Sequence, residues 1–239
     1  MNILKKIFSF ESLPRENNYP DALVNLNCTE FEVNNWTISK FIVQHLIPVV
    51  GIHPFPLNEL HLMVAAVCRL RPTHIFEWGT NIGKSARIFH ETAKCFNMTT
   101  EIHSIDLPDD VEHAEHPKDL RGALVKGIKE VKLHTGDGLQ KSYEIYRTIP
   151  RKTNILFYID GDHSYDSVYR ELSFITEKIP EASILLHDTF YQSSESGYNV
   201  GPYKAIKEIL HNAPDKYNVI STQTGLPGMT ILYQSFHKT

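Results

Sequence analysis

His74-Ile75-Phe76-Glu77-Trp78-Gly79-Thr80-Asn81-Ile82-Gly83-Lys84-Ser85-Ala86 is the stretch around which the chain is organised. A short apolar run meets two glycines and continues as a helix-like segment to about Phe96. The pattern predicts a strand, a tight turn and a helix, with backbone N–H groups at the helix start facing a ligand. Glycine suits a backbone that turns sharply or approaches a bound molecule closely. Glu77, just before the turn, offers a carboxylate to a ligand's hydroxyl or amino groups. Alone, the glycine pair fits an ordinary strand-to-helix loop equally well. Its weight comes from the acidic residues that close the strands further along.

From His74 onward, apolar strand-like runs alternate with helix-like segments. Strands are expected at Glu101–Asp106, Val131–His134, Ile155–Asp160, Ser183–His187, Asn218–Ser221 and Met229–Tyr233. Helices are expected at Gly83–Phe96, Lys118–Lys129, Leu139–Thr148, Tyr165–Ile179 and Pro202–Asn212. Such alternation predicts right-handed βαβ units and a parallel sheet with helices on both faces. The last two strands are joined by Thr224-Gly225-Leu226-Pro227-Gly228, which is too short for a crossover and predicts an antiparallel hairpin. The fold class is therefore α/β: a Rossmann-like, seven-stranded, mostly parallel sheet with that hairpin at its end.

Ligands of such sheets bind outside the carboxyl ends of the strands. Those ends read Glu77 with the glycine turn, Asp106, Gly136-Asp137-Gly138, Asp160-Gly161-Asp162-His163 and His187-Asp188. A single acid there is commonplace, because aspartate is a good helix N-cap. Five on one edge point to one elongated polar site.

Before this domain, residues 1–56 form an N-terminal extension with helical character over Trp36–Val50, broken by Gly51-Ile52-His53-Pro54-Phe55-Pro56. A lid and an oligomer contact are both open for it, so a homo-oligomer is one expectation. Residues 57–239 make the main domain, entered through a packing helix over Leu57–Leu70. The net charge of −4 argues against a nucleic-acid binder held by phosphate contacts. No run is long enough for a membrane span and no signal peptide is evident, so a cytoplasmic location is expected. Cys28, Cys68 and Cys95 lie far apart and read as free thiols. The segment from Leu107 to Arg121, rich in Asp, Glu and His, reads as a solvated loop able to close over a ligand. Tyr191–Val200 is a polar insert expected to help form an acceptor pocket.

From Ile75 to about Tyr233 the chain resembles class I S-adenosylmethionine-dependent methyltransferases. Within them it is similar to the small-molecule and sugar O-methyltransferases and the cephalosporin-hydroxylase-like proteins. The residues that carry the likeness are Glu77 through Ser85, Ile105-Asp106 and Thr135-Gly136-Asp137-Gly138. Most specific are Tyr158-Ile159-Asp160-Gly161-Asp162-His163-Ser164-Tyr165 and Leu185-Leu186-His187-Asp188-Thr189. A nicotinamide dehydrogenase fits less well, because the turn is not Gly-x-Gly-x-x-Gly.

The resemblance implies that Glu77, Gly79, Thr80, Gly83 and Ser85 line the methionine part of S-adenosylmethionine. It gives Asp106 the ribose hydroxyls, and Asp137 and Gly138 the adenine, although Asp137 also reads as a helix N-cap. Asp160 would stand between cofactor and chemistry. Two routes to oxygen methylation are open. In one, Asp160, Asp188 and His187 hold Mg2+ or another divalent cation; His187 stands where some relatives have a third acid, which leaves the ion's identity open. In the other, His163 is a general base, its ordinary pKa lying near neutrality. Asp162 reads as an N-cap or supporting partner, and Tyr165 and Tyr169 as packing residues. The expected acceptor is a small hydroxylated molecule such as a sugar or glycosylated metabolite. Nitrogen methylation, or a silent cofactor-binding scaffold in glycan biosynthesis, are the alternatives.

Overall fold

The computed structural model describes residues 19–236 apart from 24, 26, 109, 112–117 and 151–153. Most of the Asp/Glu/His-rich loop after Leu107, and residues 1–18 of the extension, lie outside the described residues. The sheet has seven strands, β1 (His74–Trp78), β2 (Glu101–Asp106), β3 (Val131–Thr135), β4 (Ile155–Ile159), β5 (Ser183–His187), β6 (Asn218–Ser221) and β7 (Met229–Tyr233). Their order is β3-β2-β1-β4-β5-β7-β6. The first five run parallel, and β7 pairs antiparallel with both β5 and β6. β7 therefore inserts between β5 and β6, so the Thr224–Gly228 connection closes a hairpin whose second strand lies inside the sheet.

Alternation along the strands sends side chains to two cores, as expected for strands buried on both faces. Ile75, Tyr158, Leu185 and Ile231 face one side, where they meet α3 (Leu57–Leu70) and α4 (Lys84–Cys95). Phe76, Trp78, Phe157 and Ile159 face the other, packed by α6 (Tyr165–Lys178) and α7 (Val200–Asn212). Nearby on that side, α5 (Gly138–Tyr146) sends Ser142 to accept a hydrogen bond of 2.7 Å from Trp78 Nε1.

The extension is helical from Asn35 to Val50, as α1 (Asn35–Phe41), a π-helical turn over Ile42–Leu46, and α2 (Ile47–Val50). Pro48 explains the π turn. It has no N–H to give the carbonyl four residues back, and Ile47 N–H reaches Ile42 instead. Ile38, Phe41 and Leu46 of this segment are fully buried in the same core as α3 and α4.

The helix expected over Lys118–Lys129 does not form. Two short 3₁₀ turns, Lys118–Leu120 and Ala123–Val125, stand there instead. Gly122 and Gly127 take positive φ values of 64° and 82°, and a right-handed helix does not pass through either. The other strand and helix expectations are met to within one or two residues at their ends.

Candidate active site at the carboxyl edge of the sheet

The first half of the edge is built by the turn after β1. Gly79 (φ 94°) passes so close to β4 that a Cβ would sit 2.3 Å from the Asp160 carbonyl oxygen. Gly83 (φ 83°) opens α4 against Gly122 and Val125. Both positions demand glycine for conformation and for space. Beneath the turn Glu77 is fully buried and accepts a hydrogen bond from the Ser85 hydroxyl. Its Oε2 is buried without a hydrogen-bond partner. Burial, partly offset by hydrogen bonds from Ser104 and Ser85, pushes its carboxyl up to about 7. Thr80 is buried too, its hydroxyl 2.8 Å from that of Ser104.

Asp106 closes β2 and accepts from the N–H groups of Leu107 (2.9 Å) and Asn81 (3.3 Å). Arg121 Nε lies 3.5 Å from its Oδ2. Asp137 caps α5, accepting from Gln140 N–H at 2.8 Å, and its other oxygen meets Arg170 at 3.2 Å. Gly138 is required by packing, because a Cβ there would come within 2.6 Å of the Trp78 ring.

The second half is made of side chains. Asp160 Oδ1 lies 3.1 Å from His187 Nδ1, and its Oδ2 accepts from the Tyr158 hydroxyl at 3.0 Å. Burial alone would raise the Asp160 carboxyl. The His187 charge, with the hydrogen bonds of His163, His187 and Tyr158, holds it well below the usual carboxylate range. Asp188 follows β5 in a left-handed conformation (φ 56°), which aspartate tolerates. It is buried, with Oδ2 3.2 Å from His187 Nδ1 and 3.0 Å from His163 Nε2. Its Oδ1 has no hydrogen-bond partner. Burial lowers the basicity of His187, but Asp160, Asp188 and Glu59 outweigh it and hold the ring well above its ordinary value. Asp160 and Asp188 likewise raise His163 against the opposing effect of burial.

Three contributors here have no motif in the sequence. Glu59, in the first turn of α3, is fully buried; its Oε2 lies 3.0 Å from His187 Nε2 and its Oε1 accepts from Gly228 N–H at 2.7 Å. Phe55 sets its ring edge-on against His187, centroids 5.0 Å apart. Tyr198, from the insert after β5, stands edge-on to the His163 ring at 5.6 Å. The Gly51–Pro56 loop that carries Phe55 is tied to the start of α4 by a hydrogen bond from Lys84 Nζ to the His53 carbonyl. Only the position of these groups relative to β1 and β5 reveals them.

The methyltransferase-domain family matches residues 76–189, the span from β1 through the residue after Asp188. Over that span the chain matches a methyltransferase domain. A search of curated protein sequences gave no match. Among solved structures, it is similar to the O-methyltransferase TomG of Streptomyces achromogenes in complex with SAM. That likeness has a TM-score of 0.59 and 14% identity, covering 84% of this chain and 96% of the other. The O-methyltransferase of Bacillus cereus in complex with SAH gives 0.57 and 13%, covering 82% and 90%. The SAH-bound Podospora anserina methyltransferase PaMTH1 gives 0.52 and 17%, covering 81% and 87%. Identities this low speak for the fold.

Within this methyltransferase domain, Asp160, His187 and Asp188 come together so that one ligand atom of each lies within 4.8 Å of the others. His163 joins them across Asp188. Asp162 accepts from the Ser164 N–H and from the Ser164 and Ser167 hydroxyls, which shapes the start of α6. Tyr165 and Tyr169 stack on each other at 5.6 Å. Asp137 stands apart, more than a third exposed and occupied as a cap. Among the described residues, no helix is long and apolar enough to cross a membrane.

Proposed function

We propose that the domain methylates an oxygen of a small hydroxylated acceptor, a sugar or glycosylated metabolite, with S-adenosylmethionine as donor and a divalent cation assisting. The observation that carries the donor is the buried, partnerless Glu77 Oε2 under the Gly79–Gly83 turn. Leaving a buried carboxylate oxygen unpaired costs about 1–3 kcal/mol, which a ligand's ammonium group recovers. Asp106 is the acceptor for the two ribose hydroxyls, and the N–H groups of Asn81 and Leu107 hold its carboxylate in place.

S-adenosylmethionine supplies the methyl as a sulfonium; the carbon–sulfur bond breaks as the carbon–oxygen bond forms, and S-adenosylhomocysteine leaves. The acceptor hydroxyl must lose its proton, and His163 is the group assigned to take it. Asp188 orients that ring. A base must be unprotonated before it acts, and the carboxylates that raise His163 set the lower pH limit of turnover. Tyr198, edge-on beside His163, would give the acceptor an aromatic wall.

Asp160, His187 and Asp188 fit a divalent cation. They bring two carboxylates and one imidazole to a common point, and Asp188 Oδ1 is buried and unsatisfied. Bound there, the ion would supply a Lewis acid that lowers the pKa of the acceptor hydroxyl.

Calorimetric titration with S-adenosylmethionine, on wild type and on Asp106→Ala, tests the donor. The substitution removes charge-assisted hydrogen bonds, so the expected loss is about 1.5–3 kcal/mol for each. A folded wild type that does not bind would overturn the reading. Acceptor screening for methyl transfer, with chelator and with magnesium, manganese or cobalt added, then tests the remainder.

A further inference from the structure

Glu59 has no place in the steps above, yet it is fully buried beside them. It comes from α3, outside the matched family span, and its Oε2 addresses one atom of the site, His187 Nε2 at 3.0 Å. The other oxygen is fixed by the Gly228 N–H. The carboxylate thus has one orientation, set from the turn before β7. Opposite it, His187 Nδ1 lies between Asp160 Oδ1 at 3.1 Å and Asp188 Oδ2 at 3.2 Å. Phe55 covers the ring from the side.

A carboxylate that takes one ring N–H directs the opposite nitrogen's lone pair outward, and metal-bound histidines are generally held in this way. Magnesium favours oxygen ligands and keeps much of its water, whereas imidazole suits zinc, cobalt, nickel and iron. A donor set of two carboxylates and one imidazole on a largely buried edge is poorly matched to magnesium.

We propose that Asp160, Asp188 and His187 Nδ1 select a divalent transition-metal ion over magnesium, and that Glu59 is the positioning residue which presents Nδ1 to it. The inference rests on the metal-assisted reading of the site and adds the class of ion. Binding displaces a proton from Nδ1 to solvent and leaves Nε2–H donating to Glu59.

The test uses the purified full chain titrated with Co2+, read by visible absorption and by proton NMR. The wild type should take Co2+ at this site and show an exchangeable, paramagnetically shifted imidazole N–H from Nε2. About a hundredfold excess of Mg2+ should not displace the ion. Glu59→Gln should weaken Co2+ binding by about 10–100-fold. The double variant Glu59→Gln/His187→Asp makes the donor set all oxygen. It should lose the shifted resonance and narrow the Co2+/Mg2+ preference by about tenfold or more.

Three results would overturn the inference: Co2+ bound without a shifted imidazole N–H, ready displacement by Mg2+, or an unchanged preference in the double variant. So would a thiolate-to-cobalt charge-transfer band lost in Cys95→Ser, because His45, Glu91 and Cys95 form the other candidate cluster among the described residues. Absence of Co2+ binding would also remove the cation from the proposed function. S-adenosylmethionine titration of the same sample reports on the donor separately.

Discussion

The β1–β3 half of the site is made mainly by backbone, and the β4–β5 half by side chains. In the first, glycines at 79 and 83 set the turn, and Asp106 is steadied by two main-chain N–H groups. In the second, Asp160, His163, His187 and Asp188 hold one another in a chain of ion pairs that Glu59 extends into the core. A backbone site tolerates little change of conformation but depends weakly on distant residues. A side-chain network keeps its shape only while each member has its partner. The first half is thus suited to a constant ligand, and the second to a reacting group that changes charge.

The sharpest way to break this contrast is at the seam. Gly79→Ala puts a methyl group into the Asp160 carbonyl at a positive φ, so both halves should suffer together. A stability loss of about 2–4 kcal/mol, with donor binding abolished, is expected from thermal unfolding and calorimetry. Retained binding would mean that the halves tolerate relative movement. Next in size is His163→Ala, which should lower kcat by about 10²–10⁴-fold while leaving the S-adenosylmethionine Kd within about twofold. Steady-state kinetics beside calorimetry would reveal any coupling, and a large change in Kd would show that the network reaches the donor.

The smallest effect concerns pH. Burial raises the folded-state value of Glu77 from 4.5 to about 7, so within that window the folded chain binds more protons than the unfolded one. Stability contributed by the neutral acid is therefore lost as pH rises through the window, and the loss is complete above it. A cationic ligand amine prefers the ionised carboxylate, so donor affinity should rise between about pH 6 and pH 8 with release of a proton. Glu77→Gln should flatten both trends; denaturant melts and calorimetry across that range give the measurement. If the mutant keeps the wild-type slope, another group carries it.

The same contrast explains what was legible in the sequence. Periodicity located every strand: β1, β4, β5 and β7 are buried on both faces and read as continuous apolar runs, while the exposed edge strands β3 and β6 were placed by the alternation of strands and helices around them. Glycine spacing located the turn, because only glycine meets its geometry. The Lys118–Lys129 segment looked helical by composition, but two glycines at positive φ decide its backbone. Asp137 carried two readings at a strand end, and the structure shows the cap: it accepts from Gln140 N–H and pairs with Arg170. Glu59 and Phe55 were illegible as site residues, whereas Tyr198 falls in the Tyr191–Val200 insert expected beside the acceptor. Glu59 is 128 positions from His187 in sequence, and no local pattern marks a carboxylate that acts across such a distance.

The insertion of β7 between β5 and β6 bears on how the chain is made. Residues 229–233 supply the hydrogen bonds along the open side of β5, and Gly228 holds Glu59. Until the ribosome has released them, β5 presents a bare edge and Glu59 has no main-chain donor. A truncation before Met229 would therefore remove an interior strand from the sheet, and the turnover half of the domain would be the first to fail.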